Sequence, residues 1–236
     1  MGYSNSPLVS YTNLTKHHSG ERTHKIDTIT IHCFVGQVSA KRGCDYFATT
    51  PKDSSCNYVV GFDGSIGLSV EEKNRSWCTS SNSNDQRAIT IEVASDNSEP
   101  YAVTDAAYNG LIKLVADICQ RNGIKKLVWS TNKNDRVNHL NGCNMTVHRD
   151  YANKSCPGAY LYSRHGDIAD RVNSMLNGES VVLEMTKEEL KEFIEKTVKE
   201  MGVGEPVDAW ASEQVIDKEK TWLQGIKIEI KCNECL

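Results

Sequence analysis

No stretch of this 236-residue chain approaches a run of about 18 consecutive apolar residues, so the sequence holds no candidate transmembrane helix. An excess of basic charge is also missing. The 27 Lys and Arg stand against 31 Asp and Glu, for a formal charge of −4, which argues against a nucleic-acid or anionic-membrane partner, since either selects a basic surface. The opening MGYSNSPLVSYTNL lacks the basic start and apolar core of a secretory signal, so synthesis in the cytoplasm without a signal peptide is expected. There is no internal repeat and no low-complexity tract. What is left fits one sizeable core plus a small appendage.

Cysteine, by contrast, is plentiful and odd in number. The nine cannot all pair within the chain, and their irregular spacing reads as mostly reduced thiols. A bridge from Cys44 to Cys56 stays open if the protein works outside the cell. The states of Cys78, Cys232 and Cys235 stay open as well, including a second metal site.

Hydropathy patterning gives the organisation. KIDTITIHCF (25–34) alternates, with Ile29 and Ile31 on one face and Thr28, Thr30 and His32 on the other, as in a half-buried strand. RAITIEVAS (87–95) repeats this, with Ile89, Ile91 and Val93 opposite Thr90 and Glu92. CNYVVGFDGSIG (56–67) reads as two strands joined at Asp63-Gly64. Between a Thr104 N-cap and a Gly123 stop, Leu111, Ile112, Val115, Ile118 and Cys119 fall at helical spacing. KLVWS (126–130) reads as a short strand and 159–176 as a second helix. The character changes after Asn177-Gly178: Thr186 and Glu189 have capping-box spacing before a helical stripe, and IKIEIK alternates as a strand. The expected class is α/β, a central mixed sheet flanked by helices over residues 1–178, with a small α+β appendage over 179–236.

The segment VHRDYANKSCPG (147–158) sets an imidazole, an ammonium and a thiol within nine residues. His148 and Cys156, taken with His32 at a strand end, make a three-ligand set suited to zinc, with the open fourth position that catalytic sites keep. Taken singly, each also reads as an ordinary residue: a hydrogen-bonded histidine, a solvated loop lysine at Lys154, a strand carboxylate at Glu92. Together they supply the parts of an amide hydrolase: a metal set, a base at Glu92 for the attacking water, and a cation at Lys154 for the developing oxyanion.

In the order TITIHC, CNYVVGFDG, NRSWC, AITIEVAS and VHRDYANKSCPG, the chain resembles the zinc-dependent N-acetylmuramoyl-L-alanine amidases of the peptidoglycan-recognition and phage-amidase superfamily. The resemblance covers roughly residues 24–176. It implies the peptidoglycan-recognition-like fold, one zinc ion on His32, His148 and Cys156, and catalytic roles for Glu92 and Lys154. Two positions depart from the pattern. Some members carry a catalytic tyrosine where this chain has Cys56, which leaves Tyr58 as the next proton acceptor to consider should Glu92 fail. Many have Trp-His-Ala-Gly where this chain has Trp77-Cys78-Thr79-Ser80, so Cys78 replaces a histidine near the cleft.

The resemblance implies hydrolysis of the amide between N-acetylmuramic acid and L-alanine in peptidoglycan, by a phage or prophage endolysin released to the cell wall through a holin. Two alternatives stand beside it. One is a cytoplasmic amidase that recycles soluble muropeptides. The other is a non-catalytic peptidoglycan-binding module; such members typically lose the cysteine ligand, so Cys156 favours the enzyme. For residues 179–236, wall binding and self-association are both open.

Overall fold

A computed structural model of the protein describes residues 3–178, 180–185, 221–223 and 226–232. In chain order the first part contains β1 (Tyr11–Thr12), β2 (His18–Glu21), β3 (Thr28–Val35), α1 (Ala40–Thr49), β4 (Tyr58–Val60), β5 (Ile66–Leu68) and β6 (Asn74–Ser76). Then follow α2 (Asn82–Arg87), β7 (Ala88–Ser95), α3 (Asp105–Arg121), α4 (Lys133–Asn138), β8 (Met145–Thr146) and α5 (Gly158–Asn177). Six strands form one mixed sheet in the order β1-β5-β4-β7-β3-β8, with β4, β7, β3 and β8 mutually parallel and β5 antiparallel to β4. This is the expected mixed sheet flanked by helices.

The two central strands β3 and β7 run in register, Ile29 beside Ile89, Ile31 beside Ile91 and His32 beside Glu92. Alternation sends the isoleucines to one face, where they pack with Leu111, Leu114, Val115 and Ile118 of α3 and with Leu161, Ile168 and Val172 of α5. α3 begins where Thr104 accepts from the Ala107 N–H at 3.1 Å, and ends before Gly123 at φ +70°. The hairpin turn needs its glycine: Gly64 has φ +80°, and a Cβ there would meet the Ala106 carbonyl oxygen at 2.6 Å.

Two expectations are corrected. Neither β3 nor β7 is half-buried, because the polar face is covered as well, and Thr28, Thr30, His32 and Thr90 are all fully buried. The hydroxyls are satisfied by one another and by the segment that lies over them. Thr30 Oγ1 and Thr146 Oγ1 lie 2.7 Å apart, Ser76 Oγ and Thr90 Oγ1 2.8 Å apart, and Asn84 Nδ2 donates to Thr30 at 3.1 Å. Residues 126–130 form no strand. Side-chain amides do the work of a ladder there: the Leu127 N–H donates to Asn173 Oδ1 at 2.7 Å and the Val128 N–H to Asn144 Oδ1 at 2.8 Å. The short β8 takes the sheet edge instead.

The chain separates into two compact units, 1–176 and 177–236. In the second, β9 (Ser180–Met185) pairs parallel with β11 (Ile226–Cys232), and β10 (Thr221–Leu223) pairs antiparallel with β11. IKIEIK thus lies in a strand. The helix expected from Thr186, and Cys235, lie outside the described residues.

Candidate metal centre and active site

The register of β3 against β7 sets the site. His32 and Glu92 are neighbours on the polar face, toward the C-terminal ends of two parallel strands. His32 Nδ1 lies 4.0 Å from Glu92 Oε1. The loop after β8 supplies the other groups, and it is held by its own bonds. The Ala152 N–H donates to the His148 carbonyl at 3.1 Å and the Arg149 N–H to the Cys156 carbonyl at 3.2 Å. Beneath it, Arg136 donates twice to the buried Asp150 carboxylate, each bond at 2.7 Å. The loop therefore folds back on itself, which brings His148 and Cys156 to the same point.

At that point the ligand atoms of His32, His148 and Cys156 lie within 4.8 Å of one another. Cys156 Sγ is 3.4 Å from His32 Nδ1, and the two imidazole centroids are 5.1 Å apart. A tetrahedral ion with bonds of about 2.0–2.3 Å to nitrogen and sulfur asks for ligand separations in this range. His32 Nε2 and Glu92 Oε2 are shielded from solvent and have no hydrogen-bond partner. Unpaired buried polar atoms are costly and rare, so the shielded, unpaired Glu92 oxygen beside the three donors points to a group that something else completes. The donor set of two imidazoles and a thiol suits zinc. The ligand atoms of a second group, His32, Cys78 and Glu92, likewise lie within 4.8 Å of one another.

Electrostatics follow from this burial. His32 is held well below the ordinary imidazole range by desolvation and then by His148, and His148 is lowered by desolvation and then by the Lys154 charge. Both are neutral at physiological pH, the form that binds metal. Desolvation pushes Glu92 up to about 7, against the lowering effect of the Cys78 hydrogen bond. The Cys156 thiol is raised by its hydrogen bond with Cys33 and then by desolvation. A bound cation reverses that preference, because a coordinating thiol is deprotonated outright.

Glu92, His148 and Cys78 open onto a cavity of about 480 Å³, whose other walls include Phe34, Arg42, Tyr46 and Trp77. Lys154 is on the same loop, two residues before Cys156, but its side chain is exposed and does not line the cavity. Tyr58 is not a substitute for Glu92. It faces the opposite side of the sheet, fully buried, and its hydroxyl donates to Glu72 Oε1 at 2.6 Å. Cys44 and Cys56 are buried free thiols packed with Val59 and Phe47, so no bridge joins them.

Two supports were missed in the sequence. Asp85 Oδ2 accepts from the Cys78 and Thr79 N–H groups at 3.0 and 3.1 Å, which fixes the loop beside Glu92. Ser80, at φ +63°, brings its Oγ to 3.3 Å from His148 Nε2. The one available signal was the Ser81 N-cap that starts α2 and carries Asp85 under the loop.

Residues 22–159 match the family model described as N-acetylmuramoyl-L-alanine amidase, more than half of the chain. The chain belongs to this family. It is accordingly an amidase-type hydrolase with a candidate His/Cys/Glu metal centre. Solved structures agree on the fold. A selenomethionine AmpD derivative superposes with a TM-score of 0.52 at 18% identity, covering 72% of this chain and 99% of that one. The endolysin N-acetylmuramoyl-L-alanine amidase LysCS from Clostridium intestinale URNW gives 0.51 at 16% identity, covering 73% and 99%. PlyL gives 0.50 at 16%, covering 70% and 96%. At such identities the likeness is one of fold. No curated protein matches the chain. Among the described residues no helix is long and apolar enough to cross a membrane.

Proposed function

We propose that this amidase cleaves the bond between the lactyl carbonyl of N-acetylmuramic acid and the amino group of L-alanine in peptidoglycan, as a phage-type endolysin acting at the cell wall. In this reading His32, His148 and Cys156 hold one zinc ion, Glu92 is the general base, and residues 1–178 carry the chemistry. The observation that carries it is the convergence of three zinc-type donors within 4.8 Å of one another, beside a shielded carboxylate at a cavity wall.

When bound, zinc lowers the pKa of water toward neutrality and polarises the carbonyl it meets. The side chains of the site do the rest. The strand register holds Glu92 next to His32, where its carboxylate takes the proton from the attacking water as the water oxygen bonds to the carbonyl carbon. It returns the proton to the alanine nitrogen as the C–N bond breaks, so the products are a lactyl carboxylate and a free amine. Lys154 supplies positive charge for the oxyanion. Its ammonium lies close enough to lower the pKa of His148 and makes no ion pair among the described residues, so it is free to turn toward a substrate in the cavity.

The test separates chemistry from binding. Glu92→Gln keeps the shape but removes the base, and should cost roughly 10²–10⁴-fold in rate. Lys154→Ala should cost on the order of 10²-fold. Both should retain zinc and bind peptidoglycan in a pull-down as the parent does. Glu92→Gln cutting at the parental rate would show that the proton acceptor lies elsewhere.

A further inference from the structure

Cys78 is the group at the site for which the proposed reaction has no use. It stands on the loop whose backbone Asp85 fixes through the Cys78 and Thr79 N–H groups. Its Sγ lies 3.8 Å from Glu92 Oε1. Glu92 Oε1 in turn lies 4.0 Å from His32 Nδ1, and the Oε2 atom of the same carboxylate is shielded and unpartnered. One imidazole, one thiol and one carboxylate thus present ligand atoms within 4.8 Å of one another, in a group that shares only His32 with the first.

We propose that His32, Cys78 and Glu92 form a second, alternative seat for a thiophilic divalent cation such as Zn²⁺ or Cd²⁺. Mixed nitrogen, sulfur and oxygen donors at this spacing suit such ions. His32 Nδ1 faces Cys156 at 3.4 Å and Glu92 at 4.0 Å, so the same nitrogen serves both seats and an ion occupies one at a time. Occupation of the second seat forms a metal–sulfur bond and releases the Cys78 thiol proton to solvent, with no change of oxidation state. The ion then also engages the Glu92 carboxylate, so this is an inactive position of the metal. That last consequence rests on the role proposed above for Glu92; the seat itself rests on the three side chains.

The experiment uses the full chain with Cys156→Ser, Cys232→Ser and Cys235→Ser, stripped of metal and titrated with Cd²⁺ alone. Sulfur-to-cadmium charge-transfer absorbance and metal stoichiometry are read together, and circular dichroism verifies folding. The second seat predicts about one bound cadmium per chain with a one-thiolate band, in line with the coordination of such ions by thiolate. Adding Cys78→Ser should abolish the band and weaken binding more than the ~10–100-fold that changes outside the ligand shell cost. Adding Glu92→Gln should weaken binding and keep the band. A folded protein with these three changes that shows no band, or a band that survives Cys78→Ser, overturns the proposal. If this variant does not fold, cadmium NMR of the chain with only Cys232→Ser and Cys235→Ser decides. Two cadmium environments reduced to one by Cys78→Ser support the seat, and a single environment unmoved by that change overturns it. Cleavage at the parental rate by zinc-loaded Cys156→Ser would instead overturn the catalytic ligand set, a result separate from the cadmium band.

Discussion

The two faces of β3 and β7 are built from the same strands, one residue apart, and both are covered, although Glu92 on the polar face stays partly open to the cavity. On one, Ile29, Ile31, Ile89 and Ile91 meet the helices α3 and α5 with no polar atom to satisfy. On the other, Thr30, His32, Thr90 and Glu92 sit under the segment that carries Asn84 and Asp85, and each hydroxyl has a partner. The atoms left unpaired there are His32 Nε2 and Glu92 Oε2. An apolar face gains free energy from burial without conditions, at about 25 cal/mol per Å². A polar face gains only when its groups are paired. The unpaired atoms mark where the polar face leaves burial uncompensated.

The contrast is broken most severely by exchanging adjacent residues of β7. Ile91→Ala should cost about 2–5 kcal/mol of unfolding free energy, read from a urea midpoint, because it opens a cavity against α3 and α5. Glu92→Gln, one residue on, should leave that midpoint nearly unchanged while removing most of the activity. Equal loss of stability from both would show that the two faces do the same job.

A buried histidine behind the apolar face sharpens the comparison by pH. His165 is fully buried against Trp129, its Nδ1–H donates to the Leu161 carbonyl at 2.7 Å, and its Nε2 has no partner. Desolvation lowers it from an ordinary value of 6.5 to about 4. The unfolded chain therefore takes up this proton first as pH falls. Stability should decline between pH 6.5 and pH 4 by roughly 3 kcal/mol. His165→Gln keeps a donor for Leu161 and should flatten that part of the stability profile. An unchanged profile would mean that His165 is not responsible.

Asn84 gives the smallest expected effect. It donates to Thr30 and accepts from Thr146 at 2.8 Å and from Tyr151 at 3.1 Å, so it ties the polar face to the loop bearing His148. Asn84→Ala should cost about 1–3 kcal/mol and lower the rate with little change in zinc content. A loss of stability with an unaltered rate would show that Asn84 supports the sheet alone.

Much of this was legible in the sequence, for local reasons. The strands β3 and β7 declare themselves by alternation, the hairpin by Asp63-Gly64, and α3 by its Thr104 cap and Gly123 stop. The loop holding His148 and Cys156 is one short segment, so its donors are visible together. What depends on distant partners was not legible. Residues 126–130 have the composition of a strand, but the carboxamides of Asn144 and Asn173 satisfy the backbone that a ladder would. The polar alternation of β3 reads as half-buried because nothing local shows that residues 74–87 will cover it. Tyr58 lies near Cys56 in sequence, yet it pairs with Ile91 and Val59 pairs with Glu92, which sends Tyr58 to the core. The placement of Cys78 against Glu92 depends on Asp85, a contact that no spacing rule shows.

The central claim is that the donors gathered on the polar face, His32, His148 and Cys156 beside Glu92, serve a metal-dependent amide hydrolase acting on peptidoglycan. Its most direct test is a digest of purified peptidoglycan by the zinc-loaded protein, with the new chain ends identified chemically. The account predicts free α-amino groups of L-alanine, no new reducing sugars, and neither product after chelation of the metal. New reducing ends, or release of alanine amines that persists without metal, would contradict it.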